Sequence, residues 1–267
     1  MARFWLAAAL LILSAHSAQA KLGIESIQAT YGPLGPERKT LDIYPFDELF
    51  FRFTVTGAKP DAEGKVDASV VMQVLDGTGK VRGENQIPAK GVLLLGGNSF
   101  PFLVTLPLSE QVPPGKYTVK ITMRDNLSGE SVSFQRQVTV KAVEFKIVDL
   151  QFFHDPEGKI PAPAGGTLGE TLFFRLRIIG FDRSKDRIFT EIVLKILDAD
   201  GAEVSPKRMA YDIRQDDAKA VKSWTFLNYR NSFDLTRVGK FTLRFTATDR
   251  LTKNSTNFDM PIQVTAP

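Results

Sequence analysis

Two tandem antiparallel β-sandwiches are the fold class this sequence predicts. The first observation is alternation. Tyr117, Val119, Ile121 and Met123 share one face of an extended run, while Thr118, Lys120, Thr122 and Arg124 share the other. That period of two belongs to a half-buried strand. The second is repetition: the hairpin at 115–140 recurs at 239–264, with Phe241, Leu243, Phe245 and Ala247 facing inward. The third is punctuation. Each copy divides into about seven short β runs separated by turns, with no convincing helical period between them.

Residues 1–20 precede the first copy. Arg3 gives a positive start, residues 4–13 are apolar, and Ala18, Gln19 and Ala20 offer a small-residue cleavage site. This is the three-part pattern of an export signal. The apolar run is far shorter than the ~20 residues that cross a bilayer. Cleavage after Ala20 and release of a soluble product, periplasmic or extracellular, are therefore expected. Removing Arg3 from the 34 Lys+Arg leaves 33 against 30 Asp+Glu, scattered along the chain. No basic stripe for nucleic acid results. The chain has no cysteine, which excludes disulfides, thiol chemistry, zinc–thiolate sites and a lipid-anchored cysteine. About 250 residues bury enough surface as two ordinary domains without such staples.

The copies can be followed step by step. Ile24, Ile27, Gln28 and Tyr31 answer to Ile147, Leu150, Gln151 and His154. Residues 49–57 answer to 172–180, a displacement of 123 (172 − 49), and residues 70–76 to 192–198, a displacement of 122. Phe100 answers to Trp224 and Gly115 to Gly239, both at 124. A displacement this constant means one unit copied once, with boundaries at 21–141 and 142–267. Each half is expected to fold alone. The phase of residues 100–108 is ambiguous, because neither parity is apolar in both copies. Pro261 inside the last strand points to a sheet border, where a missing N–H is tolerated. The connection 141–144 has no glycine or proline, so a semi-rigid rod is expected.

Pro113, Pro114, Gly115 and Lys116, then Tyr117 to Ile121, Asp125 and Leu127 to Gly129, resemble the penultimate-strand signature of bacterial immunoglobulin-like and fibronectin-III-like modules. Tyr117, two residues before inward Val119, is similar to the tyrosine corner of such domains. The resemblance implies an immunoglobulin-like sandwich in each copy and carries no activity. The second copy has Phe241 at the corner, without the hydroxyl.

The chemistry on offer is sparse. His154 is the single histidine after residue 20 and has no partner at metal-ligand spacing. A strand-end polar residue beside the Asp155–Pro156 turn is its expected role. Without a GxSxG elbow there is nothing to carry a serine triad. Asp76 and Asp198, Asp125 and Asp249, and Glu48 and Glu170 are matched acids. A turn role, accepting backbone N–H groups, is favoured over calcium. Asp198, Asp200 and Gly201 open like a calcium loop but lack the closing glutamate. Asn126 and Asn254 fit the glycosylation acceptor pattern on matched turns. Trp224 is expected in the core. No catalytic, cofactor or metal residue is assigned.

The functional expectation is an exported, non-enzymatic binding or structural module whose partner is another exported protein or a cell-surface component. The alternatives are a periplasmic chaperone of two such domains and a carboxylate-based carbohydrate-active protein. Strict alternation from Leu49 places Phe50 and Arg52 on the outer face, and Phe173 and Arg175 in the copy. These four residues form the predicted partner-facing patch, since aromatic residues and arginine dominate interface cores.

Overall fold

The computed structural model describes residues 21–205 and 207–267. The export signal expected over 1–20 lies outside them. The first copy contains β1 (Gly23–Thr30), β2 (Asp42–Ile43), β3 (Glu48–Thr56), β4 (Lys65–Leu75), β5 (Val81–Val92), β6 (Phe100–Pro107), β7 (Gly115–Asp125) and β8 (Ser131–Val140). In the second are β9 (Lys146–Phe153), β10 (Pro161–Ala162), β11 (Gly165–Thr167), β12 (Thr171–Ile179), β13 (Ile188–Leu197), β14 (Met209–Gln215), a short helix α1 (Ala218–Ser223), β15 (Leu227–Asp234), β16 (Gly239–Asp249) and β17 (Ser255–Thr265).

In copy 1 the sheet β1-β3-β6 faces β2-β8-β7-β4-β5, and in copy 2 β10-β9-β12-β15 faces β11-β17-β16-β13-β14. This is the strand order of an immunoglobulin-like sandwich. One departure from a purely antiparallel plan occurs twice. The short strands β2 and β11 pair parallel to β8 and β17. The chain leaves the first sheet after β1 or β10 and crosses to the border of the second. That crossing covers the end of β17, whereas Pro261, paired with Thr242, lies before the 263–265 stretch that β11 covers. The missing N–H at Pro261 thus opens no gap in a ladder.

Alternation sets the cores. Leu49, Phe51, Phe53, Val55, Tyr117, Val119, Ile121 and Met123 pack in one cluster, and their counterparts in β12 and β16 in another. The corner forms as expected: the Tyr117 hydroxyl donates to the Pro113 carbonyl at 2.9 Å. In copy 2 the Arg237 guanidinium lies 5.9 Å from the centre of the Phe241 ring instead.

Strand pairing revises one part of the repeat. Val55 pairs with Phe100, and its counterpart Ile178 pairs with Leu227, so Phe100 answers to Leu227 at a displacement of 127 (227 − 100). Trp224 is therefore not a strand residue. It caps α1, its N–H donating to Ala220 and Val221, and its half-buried side chain packs on the core edge. The helix escaped the period test because six residues carry less than two turns. Its start is set locally, Asp217 accepting from the Ala220 N–H at 2.7 Å.

The loop after β1 reaches along the flank of sandwich 2. Gly32 lies against Gln151, and a Cβ at Gly35 would fall 1.5 Å from the Tyr31 carbonyl, so the loop's tight return requires glycine.

Candidate functional site

The contact between the sandwiches is the most elaborately built polar site among the described residues. It gathers the segment 31–48 of copy 1 against the outer face of β9 and β12. Within the segment, Arg38 is held in a fork: Nη1 and Nη2 each donate to Asp47 at 2.8 Å, and Nη2 also donates to the Glu48 carbonyl at 2.7 Å. Both side chains are almost fully buried, 3% and 5% exposed. Burial opposes the Arg38 charge, but Asp47 outweighs it and holds the guanidinium above its ordinary value. The same guanidinium stacks 4.3 Å from the centre of the Tyr31 ring. Tyr31 in turn meets Phe258 of sandwich 2 edge-on, ring centres 5.3 Å apart.

Across the joint, Arg177 Nη1 donates to the Phe46 carbonyl at 2.9 Å and Nη2 to Glu48 Oε1 at 3.2 Å. Gln151 Nε2 donates to Glu48 Oε2 at 3.0 Å and also to Asp149 Oδ1. Phe46 packs on Phe226 with ring centres 5.1 Å apart. The Tyr44 hydroxyl donates to Glu144 at 2.8 Å. Burial and this acceptor push its pKa up to about 12.

Asp149 is the centre of the second-sandwich side. It occupies the bulge of β9 with φ 53°, where Ser26 stands in β1 with φ 52°. Its Oδ2 lies 3.2 Å from Arg177 Nη1 and 3.6 Å from Arg175 Nη2, but neither contact is a hydrogen bond. Burial pushes the carboxyl up to about 7, against the pull of Arg177 and with help from Glu48. Phe46, whose carbonyl accepts from the same Arg177, has φ 67°, a second non-glycine residue of the joint in the left-handed region. Such backbone costs about 1–3 kcal/mol and persists where surroundings over-determine it.

The predicted patch is not assembled as one exposed surface. Phe50 is 4% exposed although it belongs to neither core cluster. Arg52 donates to Gln28 at 2.6 Å within its own sandwich. Phe173 is half-buried and lines a hollow with the 155–158 turn, and Arg175 turns toward Asp149. An outward Cβ is not enough to leave a side chain in water when loops cover the sheet face.

Signals for the joint were present but weak. Between the copies, Ser26 becomes Asp149 and Thr54 becomes Arg177, charges gained on an outward strand face.

The matched aspartates have structural roles. Asp125 accepts from the N–H groups of Lys59, Leu127 and Ser128, and Asp249 from those of Asp182, Leu251 and Thr252. Each ties its last hairpin turn to the loop after β3 or β12. Asp76 accepts from Thr78, Lys80 and Arg82, and Asp198 from Asp200 and Ala202. His154 is exposed at the end of β9, its N–H donating to Ile160. Asn126 and Asn254 are both exposed on matched turns, Asn126 donating to Asp67. No helix among the described residues is long and apolar enough to cross a membrane.

No family model matches the chain, and no curated protein matches it in sequence. Among solved structures, the C-terminal domain of the Streptococcus pyogenes antigen I/II-family protein AspA is similar at 10% identity. That match covers 91% of this chain and 100% of that one, with a TM-score of 0.33. The C-terminal domain of the Streptococcus agalactiae AgI/II polypeptide BspA matches at 11% identity over 90% and 100%, with a TM-score of 0.30. Red sea bream transglutaminase matches at 11% identity and a TM-score of 0.29; the chain is covered over 92% but spans only 31% of that enzyme. Values this low carry no functional argument, and the fold assignment rests on the chain's own strand order.

Proposed function

We propose that the chain is an exported, non-enzymatic binding or structural module that presents two immunoglobulin-like sandwiches in one fixed orientation to a protein partner. The observation that carries this reading is the joint. Charged groups buried in pairs are poor sources of stability, because desolvation offsets most of their attraction, and they are well suited to specifying a single arrangement. Here Arg38, Asp47, Glu48, Asp149 and Arg177 meet across or beside the contact, flanked by two residues in left-handed conformation. Beads on a flexible string need none of these.

The burial of Asp149, whose side chain is only 1% exposed, supports a structural rather than a catalytic role for its raised carboxyl. Export is supported by the pattern of residues 1–20.

The test presents residues 21–267 as bait to the exported fraction, beside the joint variant Arg177→Glu and the separated halves. Capture of a defined protein by the intact chain alone is expected. Equal capture by either half would refute the fixed-orientation reading. Turnover of a polysaccharide by the intact chain would refute the non-enzymatic one.

A further inference from the structure

One border of sandwich 2 is an open strand. β14 closes the order β11-β17-β16-β13-β14 and pairs with β13, Ile188 facing Gln215 and Leu194 facing Met209. Its other side meets no strand among the described residues, so a row of backbone N–H and C=O groups there has no ladder partner. Folds usually blunt such an edge with proline, a bulge or an inward charge. Sandwich 1 does so: its border strand β5 carries Gly83, Pro88 and Gly91, and Pro88 has no N–H to offer. β14 runs from Met209 to Gln215 without proline, glycine or a register shift against β13. Met209 and Ile213 pack on the core, and Tyr211 meets Tyr229 of β15 with ring centres 5.2 Å apart. Asp212 and Arg214 stand on the outer face, 43% and 60% exposed and 2.9 Å from one another.

Charge is ordered along this edge. Lys207 and Arg208 precede the strand, Asp216 and Asp217 follow it, and all four are exposed. Residues directly opposite each other in a ladder share one face of the sheet, so β14 can meet a second β14 antiparallel only in registers centred on a residue. Centring on Asp212 sets that carboxylate against its own copy. Centring on Arg214 sets two guanidinium groups together and Asp212 against Asp216. Centring on Ile213 sets Asp212 opposite Arg214, twice by symmetry, and Tyr211 opposite Gln215. The same register lays the basic start of each strand beside the acidic end of the other. Opposite charges facing across a ladder are stabilising, and like charges are not. A parallel, in-register pairing would set like against like at every charged position.

We propose that β14 pairs antiparallel with β14 of a second copy about a two-fold axis at Ile213, joining the two five-stranded sheets edge to edge. Such a contact is isologous and self-complementary, so it stops at a dimer. One strand's edge is small beside the roughly 800 Å² per partner of a stable interface, so association is weak and rises with concentration. Because the register is chosen by facing charges at an exposed edge, salt weakens it. The pairing goes beyond the partner reading above: it doubles whatever surface the fixed sandwiches present and does not depend on that surface.

Sedimentation equilibrium of residues 21–267 from micromolar to millimolar concentration tests this. The weight-average mass of the wild type should climb toward twice that of the monomer and go no higher. Asp212→Arg and Arg214→Asp each turn both facing pairs into like charges and should weaken association about tenfold or more. Both positions are exposed on the outer face, and circular dichroism melts check that the variants are folded. Mixed in equal amounts, the two variants should form a one-to-one heterodimer, because every facing pair is then of opposite sign. The double variant Asp212→Arg with Arg214→Asp should associate like the wild type. A wild type that stays monomeric throughout, or that grows past a dimer, overturns the proposal. So do single variants that associate undiminished, or a mixture that associates no better than its components. None of these results bears on capture of a different protein by the intact chain, so the two readings fail separately.

Discussion

Replacing Asp47 by alanine should strip a nearly fully buried guanidinium of its counter-ion. The magnitude follows from the site. Arg38 makes two 2.8 Å donations to Asp47, and both side chains are at most 5% exposed, so water cannot replace the carboxylate. Breaking a buried pair from one side costs about 3–5 kcal/mol. The Thr30 and Glu48 carbonyls still accept from Arg38, which places the expectation near the lower bound, about 3 kcal/mol. With a urea slope of about 1–3 kcal/mol per molar, the midpoint of the first sandwich should fall by at least about 1 M. Arg38→Met combined with Asp47→Leu removes both charges while filling the volume. This double variant should recover most of the loss, because no unpaired charge stays buried. Urea unfolding followed by tyrosine and tryptophan fluorescence, with both single variants completing the cycle, measures the coupling. A loss below about 1 kcal/mol for Asp47→Ala, the range of exposed pairs, would refute the reasoning. So would a double variant as unstable as the single one.

Tyr117→Phe should cost about 1–2 kcal/mol by leaving the Pro113 carbonyl without its donor, and Phe241→Tyr should bring no matching gain, both read from thermal melts. Asp125→Ala and Asp249→Ala should each cost about 3 kcal/mol in their own sandwich, since each acid accepts from three backbone N–H groups; adding calcium or a chelator should leave the melts unchanged. The Asp149 carboxyl, at about 7 in the folded chain against 3.8 ordinarily, favours folding below pH 3.8, and that contribution is lost as pH rises to about 7. Stability of the wild type relative to Asp149→Asn should therefore fall across this window, and parallel pH profiles would remove the assignment. Residues 21–141 and 142–267, expressed separately, should each melt cooperatively; two halves without a transition would show that the joint is needed for folding.

Local order along the chain was open to reading because its causes are local. Inward Phe51, Val119 and Leu243 follow from a two-residue period that any paired strand must obey. The Tyr117 corner and the turn aspartates depend on groups within a few residues, so residue type and spacing suffice for most of their bonds. Duplication was equally plain wherever strands carried the match. It failed around Trp224, where five residues added between β13 and β15 (displacement 122 to 127) are partly offset by three removed after β15 (127 to 124). Such compensating changes leave the overall displacement almost constant, and only the strand register separates Phe100 from Trp224.

The outward faces were decided by tertiary structure alone. Phe50 and Arg175 obey the alternation that points them away from their cores, yet one is covered and the other turns to Asp149. Whether an outward side chain meets water depends on which distant segment arrives above it. Arg177 and Glu48 are 129 positions apart, and no local pattern encodes their meeting. The joint and the raised carboxyl of Asp149 both arise in this way. Periodicity determines which face of a strand is buried against its own sheet partner, and long-range packing determines what becomes of the other face.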